Sequence, residues 1–205
     1  MEAIALSERL YTVAEYIELE EKGDIRHEFH AGRLFPIVAT SDIHNEVIQN
    51  ITALLHPEFR KRGCKFYHEN VKLQIVENGK YNYPDIMLTC DERDAKSRFI
   101  KRFPSLIVEV LSKSTAAYDR GDKFKDFQTV ASIQYYLLVE SRWQSVELFS
   151  RMEQSNLWTY QNFSEPNDVV EFPKLDFKLS VSAIYEDLNL PKKLMRSVDK
   201  LDEID

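Results

Sequence analysis

The sequence predicts a mixed α/β fold, a central β-sheet flanked by helices, on three observations. Apolar residues recur at helical spacing in one long segment, "SDIHNEVIQNITALLHPEFRKRG" (residues 41–63). They run without alternation in "SLIVEVLS" (residues 105–112), the pattern of a strand covered on both faces. Helical and strand-like segments then interleave along the whole chain with no linker long enough to divide it. With 205 residues, 43% apolar and 30% charged, one domain is expected over 1–190, followed by a charged, mobile tail at 191–205.

The elements follow in order. Thr12 and Glu15 in "YTVAEYIELEEKG" fit a capping box and Gly23 a stop, which gives a first helix. "RHEFHAGRLFPIVA" alternates around Ala-Gly and reads as a hairpin. Ser41 caps the long helix, whose apolar face is Ile43, Val47, Ile48, Ile51, Leu54, Leu55 and Phe59. Three strands are expected next: "KFYHENVKLQIV", then "NYPDIMLT" after the turn "ENGK", then "SLIVEVLS". "STAAYDRGDKFKDFQTVAS" reads as one capped helix opened by Ser114 or Thr115. "IQYYLLVE" and "SVELFSRM" form a hairpin, "NLWTYQNF" and "VVEFPKLDFKL" add short edge strands, and "SVSAIYEDL" closes as a short helix.

Bulk properties remove several function classes. A formal net charge of -7 gives no general affinity for nucleic acid, so a DNA partner has to be held by local basic patches. Two such patches are present, residues 96–102 ("KSRFIKR"), expected near the acids discussed below, and residues 60–65 ("RKRGCK") at a helix end. Cys64 and Cys90 lack CxxC spacing and read as plain thiols rather than a disulfide or a zinc site. Without a secretory leader pattern or an apolar run near the roughly 18 residues that span a bilayer, a soluble cytoplasmic protein with no membrane partner is expected. No Gly-rich phosphate loop and no GxSxG are present.

What stands out is a pair of acids in apolar company: Asp85 after Pro84, and Glu109 inside "SLIVEVLS". A buried, unpaired carboxylate is costly, so each needs a cation or hydrogen bonds. Mg²⁺ takes one or two carboxylates and keeps several waters, and phosphodiester hydrolysis benefits from a nearby ammonium, for which Lys123 is available. Plainer readings stand beside this one. Asp85 would cap a strand start, Glu109 would form a salt bridge with Lys123 or Lys113, and His44 would hydrogen-bond near its helix start.

The stretches "RHEFHAGRLFPI", "SDIH", "YPDIML", "PSLIVEVLSKST", "YDRGDKF" and "SIQYYLLVE", in that order, resemble a bacterial restriction-endonuclease-like family within the PD-(D/E)XK nuclease superfamily. The resemblance covers about Thr12 to Leu188. It implies a restriction-endonuclease-like core and a Mg²⁺-dependent DNA endonuclease, with Mn²⁺ as a substitute ion. Asp85, Glu109 and the Val110 carbonyl would be metal ligands, Lys123 the site cation and Glu28 an additional site residue. His44 matches a recurrent histidine. The superfamily's lysine position holds Leu111 here, and Lys113 stands where relatives usually carry proline, so Lys113 competes with Lys123 as the site cation. A nuclease-fold module that binds nucleic acid or protein without cutting is the alternative. A homodimer through "IQYYLLVE" and "SVELFSRM" is compatible with either.

Overall fold

The structure, a computed structural model, describes residues 9–37, 40–68, 70–77 and 79–191. Its framework is a six-stranded sheet whose central strand is β8 (Leu106–Leu111). β8 pairs in parallel with β9 (Tyr135–Glu140) and antiparallel with β6 (Ile86–Thr89), so the sheet is mixed as expected. β10 (Val146–Arg151) and β11 (Trp158–Phe163) extend it on one side, and β3 (Lys65–His68) closes the other edge.

Because side chains alternate along a strand, β8 feeds two cores. Leu106, Val108 and Val110 pack under α2 (Asp42–Lys61), whose buried stripe is His44, Val47, Ile48, Ile51, Leu55 and Phe59. The hairpin of β12 (Val169–Phe172) and β13 (Phe177–Ser180) joins that layer with α5 (Val181–Ile184). Ile107 and Leu111 enter the opposite core with Phe127, Tyr136 and Leu138. α3 (Ala116–Arg120) and α4 (Asp122–Thr129) cover it.

A second, five-stranded sheet has the order β2 (Arg33–Pro36), β1 (His27–His30), β5 (Lys80–Asn82), β4 (Lys72–Val76), β7 (Ile100–Lys101). β1 (His27–His30) and β2 (Arg33–Pro36) form the expected hairpin. Its tip, Ala31 and Gly32, has φ of 48° and 87°, the two positive values a tight hairpin turn with right-handed twist requires. α1 (Val13–Lys22) begins at Thr12 with both halves of the capping box in place and stacks Tyr16 on Phe29 with ring centroids 4.8 Å apart.

Several expectations need correction. "KFYHENVKLQIV" is two strands, β3 in the large sheet and β4 (Lys72–Val76) in the small one. "NYPDIMLT" likewise splits into β5 (Lys80–Asn82) and β6, with Pro84 at the crossing, where its missing N–H breaks no ladder. The single helix expected after β8 is broken at Gly121 (φ −107°, ψ −99°), where a Cβ would come within 3.0 Å of the Ala117 carbonyl oxygen. β9 and β10 lie inside the sheet, and Tyr135 and Tyr136 are buried core residues rather than exposed aromatics.

The basic segment 96–102 connects β6 to β8 at the end opposite Asp85 and Glu109, about 14 Å away at ~3.4 Å per residue. Lys101 is spent there on the Asp94 carbonyl at 2.8 Å. The second basic segment is partly structural too, since Arg62 donates to the Asp176 carbonyl at 3.1 Å. The expected tail falls, from residue 192 onward, outside the described residues. Among the described residues no helix is long and apolar enough to cross a membrane.

Cys64 and Cys90 are disulfide-bonded, contrary to the thiol reading. The β3–β6 register pairs Lys65 with Thr89, and one step further places Cys64 against Cys90 with Cα atoms 4.1 Å apart. Spacing along the chain carries no trace of that register. The bond closes a loop of sequence separation 26 and ties down edge strand β3. Loop-closure entropy puts its contribution at about 3 kcal/mol. Reduction, or Cys64→Ala, should therefore lower the thermal midpoint. Full alkylation of both cysteines in native, unreduced protein would contradict the pairing.

Candidate functional site

The β6–β8 register pairs Ile86 with Val108, so one residue beyond the ladder Asp85 stands opposite Glu109. Directly opposed residues of antiparallel strands point to the same face, which brings the two acids together from positions far apart in sequence. Asp85 is fixed from two sides: Oδ2 accepts the Val110 backbone N–H at 2.7 Å and lies 3.2 Å from His44 Nε2. His44 is placed by the helix cap, since its own backbone N–H donates to Ser41 Oγ at 3.2 Å. The Ser105 and Leu111 carbonyls face β9, so alternation turns Val110 toward Asp85.

Glu109 is buried, and Lys123 Nζ reaches its Oε1 at 2.8 Å. The contact is an ion pair outside hydrogen-bond geometry, and Glu109 Oε1 has no hydrogen-bond partner. The same ammonium lies 3.5 Å from Glu28 Oε1 and 3.6 Å from Asp119 Oδ1. Glu28 arrives on β1 of the smaller sheet, so the cluster bridges both sheets. On that strand Glu28 and His30 share a face. His30 lies 3.7 Å from Glu28 Oε2 and 3.0 Å from Asn82 Oδ1. Lys113 is exposed on the turn after β8 and makes no ion pair among the described residues, so Lys123 is the cation that contacts Glu109.

Three carboxylates thus gather about one buried ammonium, with Asp85 close enough to act on Glu109. Burial pushes Glu109 well above the usual carboxylate range. Lys123 pulls it down, and the charges of Asp85 and Asp119 push it further up. Asp119 is raised mainly by burial as well. For Lys123 burial favours the neutral amine, yet Glu109, Glu28 and Asp119 together outweigh it and hold the ammonium charged. Burial lowers His30 to about 4, leaving it neutral near pH 7.

Sequence reasoning missed Asp119 and Tyr136. Asp119 stands four residues before Lys123, a spacing legible in "YDRGDKF" that places both on one side of the helical segment. Tyr136 donates to the Asp119 carbonyl at 3.0 Å, whereas the sequence placed it only in the strand "IQYYLLVE" of a proposed dimer interface.

Among the described residues no three His, Cys, Asp or Glu side chains form a ready-made metal group. The donor chemistry nevertheless suits a hard divalent ion, which requires only one or two carboxylates beside its waters. Glu109 Oε1, buried without a hydrogen bond, is an oxygen suited to such a ligand.

Comparisons with known proteins agree with this fold. The chain is 32% identical over 174 residues to the uncharacterized protein slr1290 of Synechocystis sp., covering 85% of this chain and 90% of that one. A second Synechocystis protein, the uncharacterized sll1609, is 31% identical over 171 residues, covering 82% and 96%. A crystal structure from Anabaena variabilis ATCC 29413, described as "a putative nuclease belonging to DUF820", superposes with a TM-score of 0.66 at 17% identity, covering 84% of this chain and 96% of that one. That likeness shows the fold alone. The profile of the Uma2 family, described as "Putative restriction endonuclease", matches residues 13–182. The chain belongs to the Uma2 family.

Proposed function

We propose that the protein is a metal-dependent endonuclease that hydrolyses phosphodiester bonds in DNA at the cluster of Asp85, Glu109, Glu28 and Lys123. The observation that carries this reading is the excess of acid: three carboxylates share one ammonium with Asp85 beside them, and Glu109 Oε1 lacks a hydrogen bond. A pure salt-bridge design would balance its charges, whereas this one leaves negative charge for a divalent ion to compensate. Asp85, Glu109 and the Val110 carbonyl would hold Mg²⁺ or Mn²⁺, with Glu28 beside them. The ion would supply Lewis-acid stabilisation of phosphate charge and an acidified water.

The side chains have separable roles. His44 and the Val110 N–H hold Asp85 in one orientation. Lys123, kept charged by its acids, is suited to orient a water or to stabilise developing negative charge on the phosphate. Asp119 and the neutral His30 position Lys123 and Glu28. Lys113, exposed on the turn beside β8, is suited to contact backbone phosphate rather than to replace Lys123. The silent-module alternative is favoured by the fact that Glu109 already has a cation partner. It differs by cutting no DNA with any divalent ion.

Plasmid nicking with Mg²⁺ or Mn²⁺ tests the reading. Asp85→Ala, Glu109→Ala and Lys123→Ala should each abolish cleavage, while Lys113→Ala should weaken DNA binding with the single-turnover rate largely kept. Nicking that persisted in both acid variants would end the proposal.

Stability should report the same cluster. Lys123→Met leaves buried acids uncompensated and should cost about 3–5 kcal/mol in urea unfolding. Adding Glu109→Gln removes one of those acids and should restore part of the loss. A purely additive double variant would show that the two side chains are uncoupled.

The pH dependence follows from the raised carboxyls. Each binds its proton more tightly folded than unfolded, so its stabilising contribution is full at low pH and disappears as pH rises through the folded value. Metal-free protein should lose stability over that rise, and Mn²⁺ should return it in thermal melts. Cleavage should increase over the same range as Glu109 gives up its proton. A pH-independent Mn²⁺ effect would contradict the assignment.

A further inference from the structure

The large sheet ends at β11, and that edge is finished differently from every other sheet edge among the described residues. β3, at the far side, is four residues long and carries Lys65. In the small sheet β2 carries Arg33 and Pro36, and β7 has only two residues, one of them Lys101. The β12–β13 hairpin carries Glu171 and Lys178. Charge, proline and brevity are the devices that stop an exposed edge from pairing with another chain. β11, with the sequence "WTYQNF", has none of them. It pairs with β10 over six residues in unbroken register and lies within an uncharged run from Gln154 to Ser164.

The ladder determines which backbone groups this edge presents. Hydrogen-bonded and non-hydrogen-bonded pairs alternate along antiparallel strands. The Met152 N–H donates to the Leu157 carbonyl at 2.9 Å, so in the β10–β11 register Thr159, Gln161 and Phe163 turn their backbone groups to β10. The Arg151 N–H, one residue along, donates instead to the Gln134 carbonyl beside β9, as the alternation requires. Trp158, Tyr160 and Asn162 therefore direct their N–H and C=O groups away from the sheet, and no described strand receives them.

We propose that β11 pairs with β11 of a second copy, antiparallel about a two-fold axis at Tyr160, so that the large sheet continues through both subunits. A two-fold contact requires one patch that complements itself, and this strand does so. With Tyr160 opposite Tyr160, Trp158 faces Asn162 of the second copy, and every outward N–H and C=O of both strands finds a partner. Side chains select the same occupant. Tyr160 is 55% exposed with its ring 5.1 Å from Phe149, so the two tyrosines join their aromatic surfaces across the axis. One step past the strand, Leu157, 65% exposed, comes opposite Phe163 of the second copy, a residue that lines one hollow with Val169. Each copy has a net charge of -7, and an uncharged edge is where two such copies approach with least repulsion. The pairing is independent of the nuclease reading, since it needs neither metal nor DNA.

Sedimentation velocity over a concentration series reaching about 100 µM should show a monomer–dimer equilibrium. Tyr160→Lys sets two ammonium groups opposite each other across the axis, and Asn162→Pro deletes an outward donor while leaving the β10 ladder intact. Each should raise the dimer dissociation constant about tenfold or more. Phe99→Lys, which alters a similarly exposed aromatic beside the small sheet, should leave it within about threefold. Amide exchange in the unmutated protein gives a readout that a misfolded variant cannot imitate. Protection at Trp158, Tyr160 and Asn162 should rise with protein concentration, while protection at Thr159 and Gln161 changes little. A wild-type protein that stays monomeric, or a dimer that neither edge variant weakens, would overturn the pairing. So would protection of the outward amides at every concentration, the result expected if a segment of the same chain covered them.

Discussion

Everything in the site is organised around the ammonium of Lys123. It is buried, it faces Glu109, Glu28 and Asp119, and it comes from a helix that starts afresh at Gly121. Burying one charge against several of the opposite sign gives a net stabilisation only when the geometry is held from outside, because desolvation opposes every member of the group. The two sheets provide that hold. β8 delivers Glu109 from a fully buried strand, β1 delivers Glu28 from the other sheet, and the helical layer above delivers the lysine.

The second constraint is the ladder between β6 and β8. Its last pair, Ile86 with Val108, determines that Asp85 opposes Glu109. A slip of one residue would move Asp85 to the other face and dissolve the pair. Both strands are apolar and buried on both sides, so such a slip of β6 would also force Met87 into the core shaped for Ile86 and Leu88, which is how core packing guards the chemistry.

Much of this was legible in the sequence. The capping box at Thr12, the Ser41 cap, the Ala-Gly hairpin and the unbroken apolar run around Glu109 each rest on local physics and each holds. The losses share one cause. Where the chain passes from one sheet to the other, between β3 and β4 and at Tyr83 to Asp85, the breaks are too short to interrupt the apolar pattern, so it reads as one long strand in place of two. Partnership between strands is likewise invisible locally. That hid the Cys64–Cys90 bond, and it allowed the basic segment 96–102 to look near the acids when the strands carry it to their other end. Asp119 was missed for a different reason: an acid on a short helix looks solvated until β9 and Tyr136 close over it.

The hairpin that carries Glu28 is tied to the remaining chemistry only through the docking of two layers. A chain that has formed just the large sheet possesses Asp85 and Glu109 but lacks the third acid, and one that has formed just the small sheet possesses neither. The full charge cluster is therefore a property of the finished molecule, absent from either half during synthesis.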